Sequence, residues 1–134
     1  MVKILVAEDE RDIRELIAFT LRYVAQFEVE VARNGKEAVE KALNVRPDLI
    51  LMDVRMPLMT GYQACKALKQ NDITKDIPII FLSAKGQESE IQEGLEVGAT
   101  EYILKPFAPD ELTEQVKKVL KQSGKASQGG ESSL

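Results

Sequence analysis

The fold is decided around residues 49–61, which read LILMDVRMPLMTG. Four apolar residues, Leu49 to Met52, form the kind of continuous run that is typical of a strand buried on both faces. The run ends at Asp53, an acidic residue that is either a turn former or a group with chemistry to perform. The polar residues that follow the other strands decide between these two interpretations.

The rest of the chain alternates between strands and helices. Apolar or alternating runs predict four more strands, at residues 3–7, 28–32, 78–82 and 102–104. Apolar residues at helical spacing predict helices at 10 to about 26, about 36–45, about 60–70, about 88–97, and from 109 to before 124. The first helix is expected to turn one face inward, made of Ile13, Leu16, Ile17, Thr20, Leu21 and Val24. Gly98 is expected to follow the end of the fourth helix.

Five strands alternating with five helices predict an α/β fold built on a parallel sheet. The first, third and fourth strands are continuously apolar, whereas the second alternates and the fifth is short. Continuous apolar runs suit central strands, and the other two patterns suit edges. The sequence therefore predicts a flavodoxin-like (βα)5 three-layer sandwich with the strand order 2-1-3-4-5.

Composition narrows the range of functions. The chain has 134 residues and a formal net charge of −4, which does not favour non-specific binding to nucleic acid or to an anionic membrane. It has no histidine, which excludes a Ser/His/Asp triad and a His-ligated zinc site. Its one cysteine, Cys65, is expected to be a small buried apolar residue. These features fit a cytoplasmic protein.

Polar side chains follow four of the five predicted strands. Glu8 and Asp9 follow the first, Asp53 the third, Ser83 the fourth and Lys105 the fifth. Each has an ordinary structural explanation, such as a helix cap for the acids or a solvated cation for the lysine. Because parallel strands end at one edge of the sheet, we expect all five in one shallow cleft. The carboxylates suit Mg²⁺, and the hydroxyl and the ammonium suit the oxygens of a phosphoryl group.

Four motifs carry a family resemblance: ILVAEDE (4–10), LILMDVRMPLMTG (49–61), IIFLSA (79–84) and VGATEYILKPF (97–107). In this order, each beside a strand, they resemble the receiver domain of response regulators, the phospho-acceptor of two-component signalling. The resemblance covers residues 3 to about 122. One departure is Glu8, where the family more often has aspartate; the extra methylene bears on metal affinity.

The resemblance implies a role for each site residue. Asp53 matches the phosphorylated aspartate. Glu8 and Asp9, with Asp53 and the backbone carbonyl of Arg55, match the ligands of Mg²⁺ or Mn²⁺. Three further matches complete the set: Ser83 to the residue that binds the phosphoryl group, Lys105 to its cationic partner, and Tyr102 to the aromatic switch. The Lys105–Pro106 bond is expected to be cis.

The function implied is that of a switch and not of a dedicated enzyme. Asp53 would take a phosphoryl group from a histidine kinase or phosphotransfer protein, and Ser83 and Tyr102 would repack the face of the fourth helix, fifth strand and fifth helix. That face would act on a downstream partner or output domain, or form a phosphorylation-dependent homodimer. Arg55 and Lys85 would either lengthen the phosphoryl lifetime or simply point into solvent.

Two rival functions and the domain boundary complete the expectations. A haloacid-dehalogenase-type phosphatase needs an aspartate two residues after the nucleophile, where this chain has Arg55. A phosphorylation-independent adaptor would usually lack the acidic pair or the lysine. We expect residues 1–122 to form the receiver domain, and residues 123–134 to be a flexible tail, a linker to a second domain or a remnant of expression.

Overall fold

The computed structural model describes residues 1–84 and 88–124, in which strands and helices alternate. The strands are β1 (Lys3–Ala7), β2 (Glu28–Ala32), β3 (Leu49–Asp53), β4 (Ile79–Ala84) and β5 (Glu101–Lys105). The helices are α1 (Arg11–Phe19), α2 (Gly35–Val45), α3 (Gly61–Lys69), α4 (Glu88–Glu96) and α5 (Pro109–Gln122). The strands form one parallel sheet in the order β2-β1-β3-β4-β5, which confirms the predicted fold class and strand order.

Helices cover both faces of the sheet, so the chain has two apolar cores. One core joins β1, β3 and β4 to α1 and α5, through residues such as Ile4, Leu51, Ile17, Leu112 and Val116. The other joins the opposite face of the same strands to α2 and α3, through residues such as Leu5, Ile50, Ala38, Cys65 and Leu68. Every residue of β3 is buried, as the apolar run predicts, whereas β2 alternates between buried and exposed positions.

Three strands extend further than their apolar runs. Asp53 is the last residue of β3 and pairs with Leu82. Ser83 and Ala84 continue β4, and Lys105 ends β5 opposite Ala84. Ser83 therefore lies inside its strand and not after it. The backbone ladder continues for one or two residues beyond the apolar residues because the pairing does not depend on side-chain polarity.

The first helix differs most from its prediction. It is α-helical only to Phe19 and continues as a π-helical turn over Thr20–Val24, with the Ala25 N–H donating to the Thr20 carbonyl. A π turn holds one more residue than an α turn, so the 3.6-residue spacing fails there. Val24, in this turn and expected to face inward, is instead 64% exposed. Leu16 is also expected to face inward, but it lies in the α-helical part, beside the buried Ile17, and is 49% exposed.

Two backbone predictions are confirmed. Gly98 follows the end of α4 with a positive φ of 109°, and the Lys105–Pro106 bond is cis. Among the helices of the described ranges, none combines the length and the apolar character needed to cross a bilayer. Residues 125–134, most of the predicted tail, lie outside the described residues, as does Lys85.

Candidate functional site

The charged residues predicted for the site meet at the carboxyl edge of the sheet. Glu8 and Asp9 follow β1, Asp53 ends β3, and Lys105 ends β5. The three acids each place a carboxylate oxygen within 4.8 Å of the other two. Glu8 and Asp53 are buried, whereas Asp9 is exposed, so the cluster opens to solvent on the side of Asp9.

Lys105 lies between the two buried carboxylates. Its Nζ is 3.0 Å from Asp53 Oδ1 and 3.1 Å from Glu8 Oε1. Its side chain is 22% exposed, against 10% for Asp53 and 1% for Glu8, so solvent screens these pairs weakly. One ammonium thus partly neutralises two buried acids.

The electrostatics of the cluster oppose the ionised acids. Burial, and then the charge of Asp53, raise the pKa of Glu8, although the Glu10 amide and Lys105 act against this. Burial also raises the pKa of Asp53, with Lys105 lowering it and Asp9 raising it. Burial lowers the pKa of Lys105, but the charges and hydrogen bonds of Asp53 and Glu8 outweigh this and raise it. Burial is thus the main effect that opposes ionisation of the two acids, and Lys105 offsets it only in part.

Glu8 also accepts a hydrogen bond from the turn that precedes α1. Its Oε2 accepts a hydrogen bond of 3.1 Å from the backbone N–H of Glu10, just before α1. Its Oε1 accepts from Lys105 at 3.1 Å. The glutamate side chain thus binds the turn before α1 with one oxygen and contacts the site lysine with the other.

Arg14, in α1, contacts the site, and the sequence pattern did not identify it. Its Nη1 donates to the carbonyl oxygens of Glu8, at 3.0 Å, and Asp9, at 3.4 Å. The only signal in the sequence is a cation in the early turns of a helix, where acids are favoured.

The predicted switch residues lie on neighbouring strands. Ser83 is buried in β4, next to Leu82, the residue that pairs with Asp53. Tyr102 is half-buried in β5, pairs with Phe81 of β4, and packs against the core on the α2–α3 side of the sheet. Ser83 and Tyr102 thus belong to adjacent strands between the acidic cluster and α4.

The loop after Asp53 is held closely to the site. The Gly61 N–H donates to the Val54 carbonyl at 2.8 Å, and a Cβ at Gly61 would lie 2.3 Å from the Asp53 carbonyl oxygen. Thr60 and Gln63 form a capping box that starts α3 directly after this loop. Arg55 lies in the loop with its side chain exposed, two residues beyond Asp53.

The donor set suits a hard divalent cation. Three carboxylate oxygens within 4.8 Å of one another are the oxygen-rich environment that Mg²⁺ prefers. A cation there would favour the ionised forms of Glu8 and Asp53, whose pKa values burial raises.

A parallel sheet of this order with an acidic cluster at its carboxyl edge defines a class of signalling domain. The family model of the response regulator receiver domain matches residues 4–117, and the chain belongs to that family. The resemblance inferred from the four motifs is therefore confirmed.

Similar proteins and structures agree with this assignment. The chain is 45% identical over 121 residues to the phosphate regulon transcriptional regulatory protein PhoB of Pseudomonas aeruginosa, covering 90% of this chain and 52% of that protein. The structure of the chemotaxis response regulator CheY4 of Vibrio cholerae matches with a TM-score of 0.84 at 40% identity, covering 90% of this chain and 99% of that one. The Francisella response regulator 1452 receiver domain matches with a TM-score of 0.83 at 32% identity, covering 92% and 99%.

The two kinds of match differ in extent. The chain spans about half the length of the curated relatives that it matches, such as PhoB of Escherichia coli, of which it covers 52%. It spans nearly all of the CheY4 chain. The similarity therefore concerns the receiver domain.

Proposed function

We propose that this receiver domain is a phospho-acceptor switch in which Asp53 takes a phosphoryl group from a phosphohistidine. The observation that carries the proposal is the position of Lys105, whose ammonium lies 3.0 Å from Asp53 at a cluster of three acids. A carboxylate held beside a cation at the open edge of a sheet is poised as a nucleophile.

In the proposed transfer, an Asp53 Oδ forms a bond to phosphorus as the P–N bond of the donor phosphohistidine breaks. The electron pair of that bond stays on the departing imidazole nitrogen, and the product is an acyl phosphate on Asp53. The donor belongs to a partner kinase or phosphotransfer protein, because this chain has no histidine. Lys105 pairs with a phosphoryl oxygen, and the Ser83 hydroxyl donates to another.

The cation proposed for this site is Mg²⁺ or Mn²⁺. Glu8, Asp9, Asp53 and the Arg55 carbonyl would hold it, and when bound it would neutralise charge on the phosphoryl oxygens. Glu8 and Asp53 already share Lys105, so the side chains that would bind the cation are in place before it arrives. The slow reversal by hydrolysis belongs to the same site and does not require a dedicated enzyme.

The proposed response to phosphorylation runs through Ser83 and Tyr102. Movement of the Ser83 hydroxyl toward the phosphoryl group would leave space that the ring of Tyr102 can occupy, and the face of α4, β5 and α5 would repack. Phosphorylation would then bias two existing conformations. Phosphorylated Ser83→Ala is expected to show reduced chemical-shift changes in α4; full changes would contradict this coupling.

The proposed partners follow from the domain and not from the whole relatives. A histidine kinase or phosphotransfer protein would supply the phosphoryl group in the cytoplasm, and a downstream protein or an attached output domain would read the switch. DNA binding, which the names of the relatives imply as transcriptional regulators, would belong to such an output domain. We propose that residues 1–122 are the receiver domain and that the residues after it link or trail it.

The deciding experiment is intact-protein mass spectrometry after incubation with acetyl phosphate and Mg²⁺. One added phosphoryl group is expected in the wild type and in Asp72→Asn, a control at an aspartate whose side chain is 96% exposed. No addition is expected in Asp53→Asn or with EDTA. If the wild type stays unmodified, and its NMR spectrum does not change when beryllofluoride is added, a phosphorylation-independent adaptor is favoured.

A further inference from the structure

Arg14 contacts the backbone that carries the two acids after β1. Its Nη1 donates to the Glu8 carbonyl at 3.0 Å and to the Asp9 carbonyl at 3.4 Å. Arg14 is half-buried, and its hydrogen bond to Glu8 is partly shielded from water, whereas the one to Asp9 is exposed. Arg14 itself is tied into α1 by its own N–H, which donates to the Glu10 carbonyl at 2.9 Å.

The position of Arg14 disfavours a cation on helical grounds. It is the fourth residue of α1, close to the positive end of the helix dipole. An arginine there does not stabilise the helix through that dipole. The two carbonyls and the neighbouring acids are the groups that favour a cation at this position. Arg14 therefore stabilises the loop of Glu8 and Asp9 and not the helix.

Arg14 completes the set of hydrogen bonds that hold Glu8. The Glu8 N–H donates to the Ala32 carbonyl of β2 at 3.0 Å, and its carbonyl accepts from Arg14. Its two carboxylate oxygens accept from Lys105 and from the Glu10 N–H. Arg14 thus restricts the rotation of the Glu8 and Asp9 peptide groups by bonding their carbonyls to a residue of α1.

We infer that Arg14 is a positioning residue for the metal-binding acids: it holds the Glu8–Asp9 backbone so that both carboxylates face Asp53. The inference rests on the proposed function, because it assumes that these acids bind Mg²⁺. Groups that orient metal ligands without touching the metal commonly change affinity by about 10- to 100-fold.

Substitution of Arg14 by methionine distinguishes a positioning role from a role through charge, because the two roles predict opposite changes in the Mg²⁺ Kd. A cation near three carboxylates repels Mg²⁺, so a role through charge alone means that Arg14→Met lowers the Mg²⁺ Kd. A positioning role means that Arg14→Met raises it, by about tenfold. Arg14→Lys is expected to lie between wild type and Arg14→Met, since a shorter amine keeps the charge but reaches the carbonyls less well.

The matched control is Arg22→Met. Arg22 also donates to a carbonyl, that of Val29 at 3.0 Å, but Val29 is near the amino end of β2, away from the acids. Both methionine variants lose arginine–carbonyl hydrogen bonds, those of Arg14 to Glu8 and Asp9 and that of Arg22 to Val29, so both are expected to have a lower Tm without metal. A change in Mg²⁺ affinity is expected only at Arg14.

The test is a Mg²⁺ titration of each protein followed by backbone amide chemical shifts, with rates of phosphorylation by acetyl phosphate measured beside it. Arg14→Met is expected to need more Mg²⁺ but to approach the wild-type rate at saturating Mg²⁺. An unchanged or lower Kd in Arg14→Met, or in Arg14→Lys if the methionine variant does not fold, overturns the inference alone. A wild type that binds no Mg²⁺ overturns the proposed function and this inference with it.

Discussion

At the scale of single residues, the site is a place where burial opposes charge. Glu8 and Asp53 have pKa values raised above their ordinary values chiefly by burial, even though Lys105 contacts both. The folded chain therefore binds these protons more tightly than the unfolded chain does. It follows that the two acids contribute less stability as the pH rises through their raised pKa values.

Asp53→Asn is accordingly expected to stabilise the metal-free protein. Near neutral pH the gain should be on the order of 1 kcal/mol, or about 4 °C in Tm, because the amide keeps the shape of the carboxyl and removes its charge. The gain should shrink toward about pH 4, because protonation of the wild-type carboxyl, favoured by its raised pKa, removes the charge that the amide lacks. Thermal melts in EDTA at the two pH values measure it, with Asp72→Asn as the exposed control. A lower Tm for Asp53→Asn near neutral pH would contradict this expectation.

Gly61→Ala is expected to damage the site through the backbone. The new Cβ would lie 2.3 Å from the Asp53 carbonyl oxygen and 3.0 Å from Val54 Cα, so the end of β3 must move. We expect a loss of about 3 kcal/mol in the free energy of unfolding. Chemical denaturation measures the loss.

Gly124→Ala is the control for that substitution. Gly124 has a φ of +85°, and no described atom lies within 4 Å of a Cβ placed there. Its replacement should cost only the backbone strain of about 1–2 kcal/mol. Equal losses at Gly61 and Gly124 would mean that the contact with Asp53 is unimportant.

The site residues differ in how far the sequence reveals them. Glu8, Asp9, Asp53 and Lys105 could be predicted to meet, because each follows or ends a recognisable strand and parallel strands end together. Arg14 could not, because it bonds to backbone carbonyls, and every residue has one. A contact to a group that all residues share leaves no pattern in the sequence.

At the scale of elements, the strands could be predicted better than the first helix. Apolar or alternating runs identified all five strands, because a strand buried on both faces has few polar residues and a strand with one face in solvent alternates. The π turn over Thr20–Val24 could not be predicted, since the residues there also fit an ordinary helix. Phe19, at the end of α1, and Tyr23, in the π turn, are both exposed, and their rings lie 5.0 Å apart.

The contact between α4 and β4 makes a testable prediction at this scale. A Cβ at Gly94 would lie 2.6 Å from Cδ2 of Phe81, whose ring packs edge-on against Tyr62. Gly94→Ala should therefore push α4 from the sheet and cost about 2 kcal/mol. In a Phe81→Leu background the same change should cost less, because the smaller side chain yields space.

The double-mutant cycle of these two substitutions measures that coupling directly. Chemical denaturation of wild type, both single variants and the double variant supplies the four free energies of unfolding. Strictly additive losses would show that α4 does not rest on the Phe81 ring.

At the scale of the whole molecule, one sheet separates two apolar cores that share β1, β3 and β4. Within the described ranges, the buried apolar residues extend from Val2 to Leu120. The acidic cluster lies at the edge of the sheet between the two cores. β3, which ends at Asp53, contributes residues to both cores.

Truncation tests where the folded unit ends. A chain that stops after Gly124 is expected to keep the wild-type Tm within about 1 °C and to accept the phosphoryl group at the same rate, because it keeps every buried residue described. A chain that stops after Lys118 loses Val119 and Leu120, each 1% exposed, and is expected to lose several kcal/mol of stability. Thermal melts of both measure this; a large loss after Gly124 would move the boundary.

The buried Cys65 is a natural probe of local opening in this protein. It is the one cysteine of the sequence, it is fully buried on the α2–α3 side of the sheet, and its thiol contacts the Val97 carbonyl at the end of α4. Burial raises the pKa of its thiol to about 11, so a disulfide reagent finds almost no thiolate in the closed protein. The rate at which such a reagent modifies the thiol would report how often the helices on the α2–α3 side open from the sheet, without any introduced label.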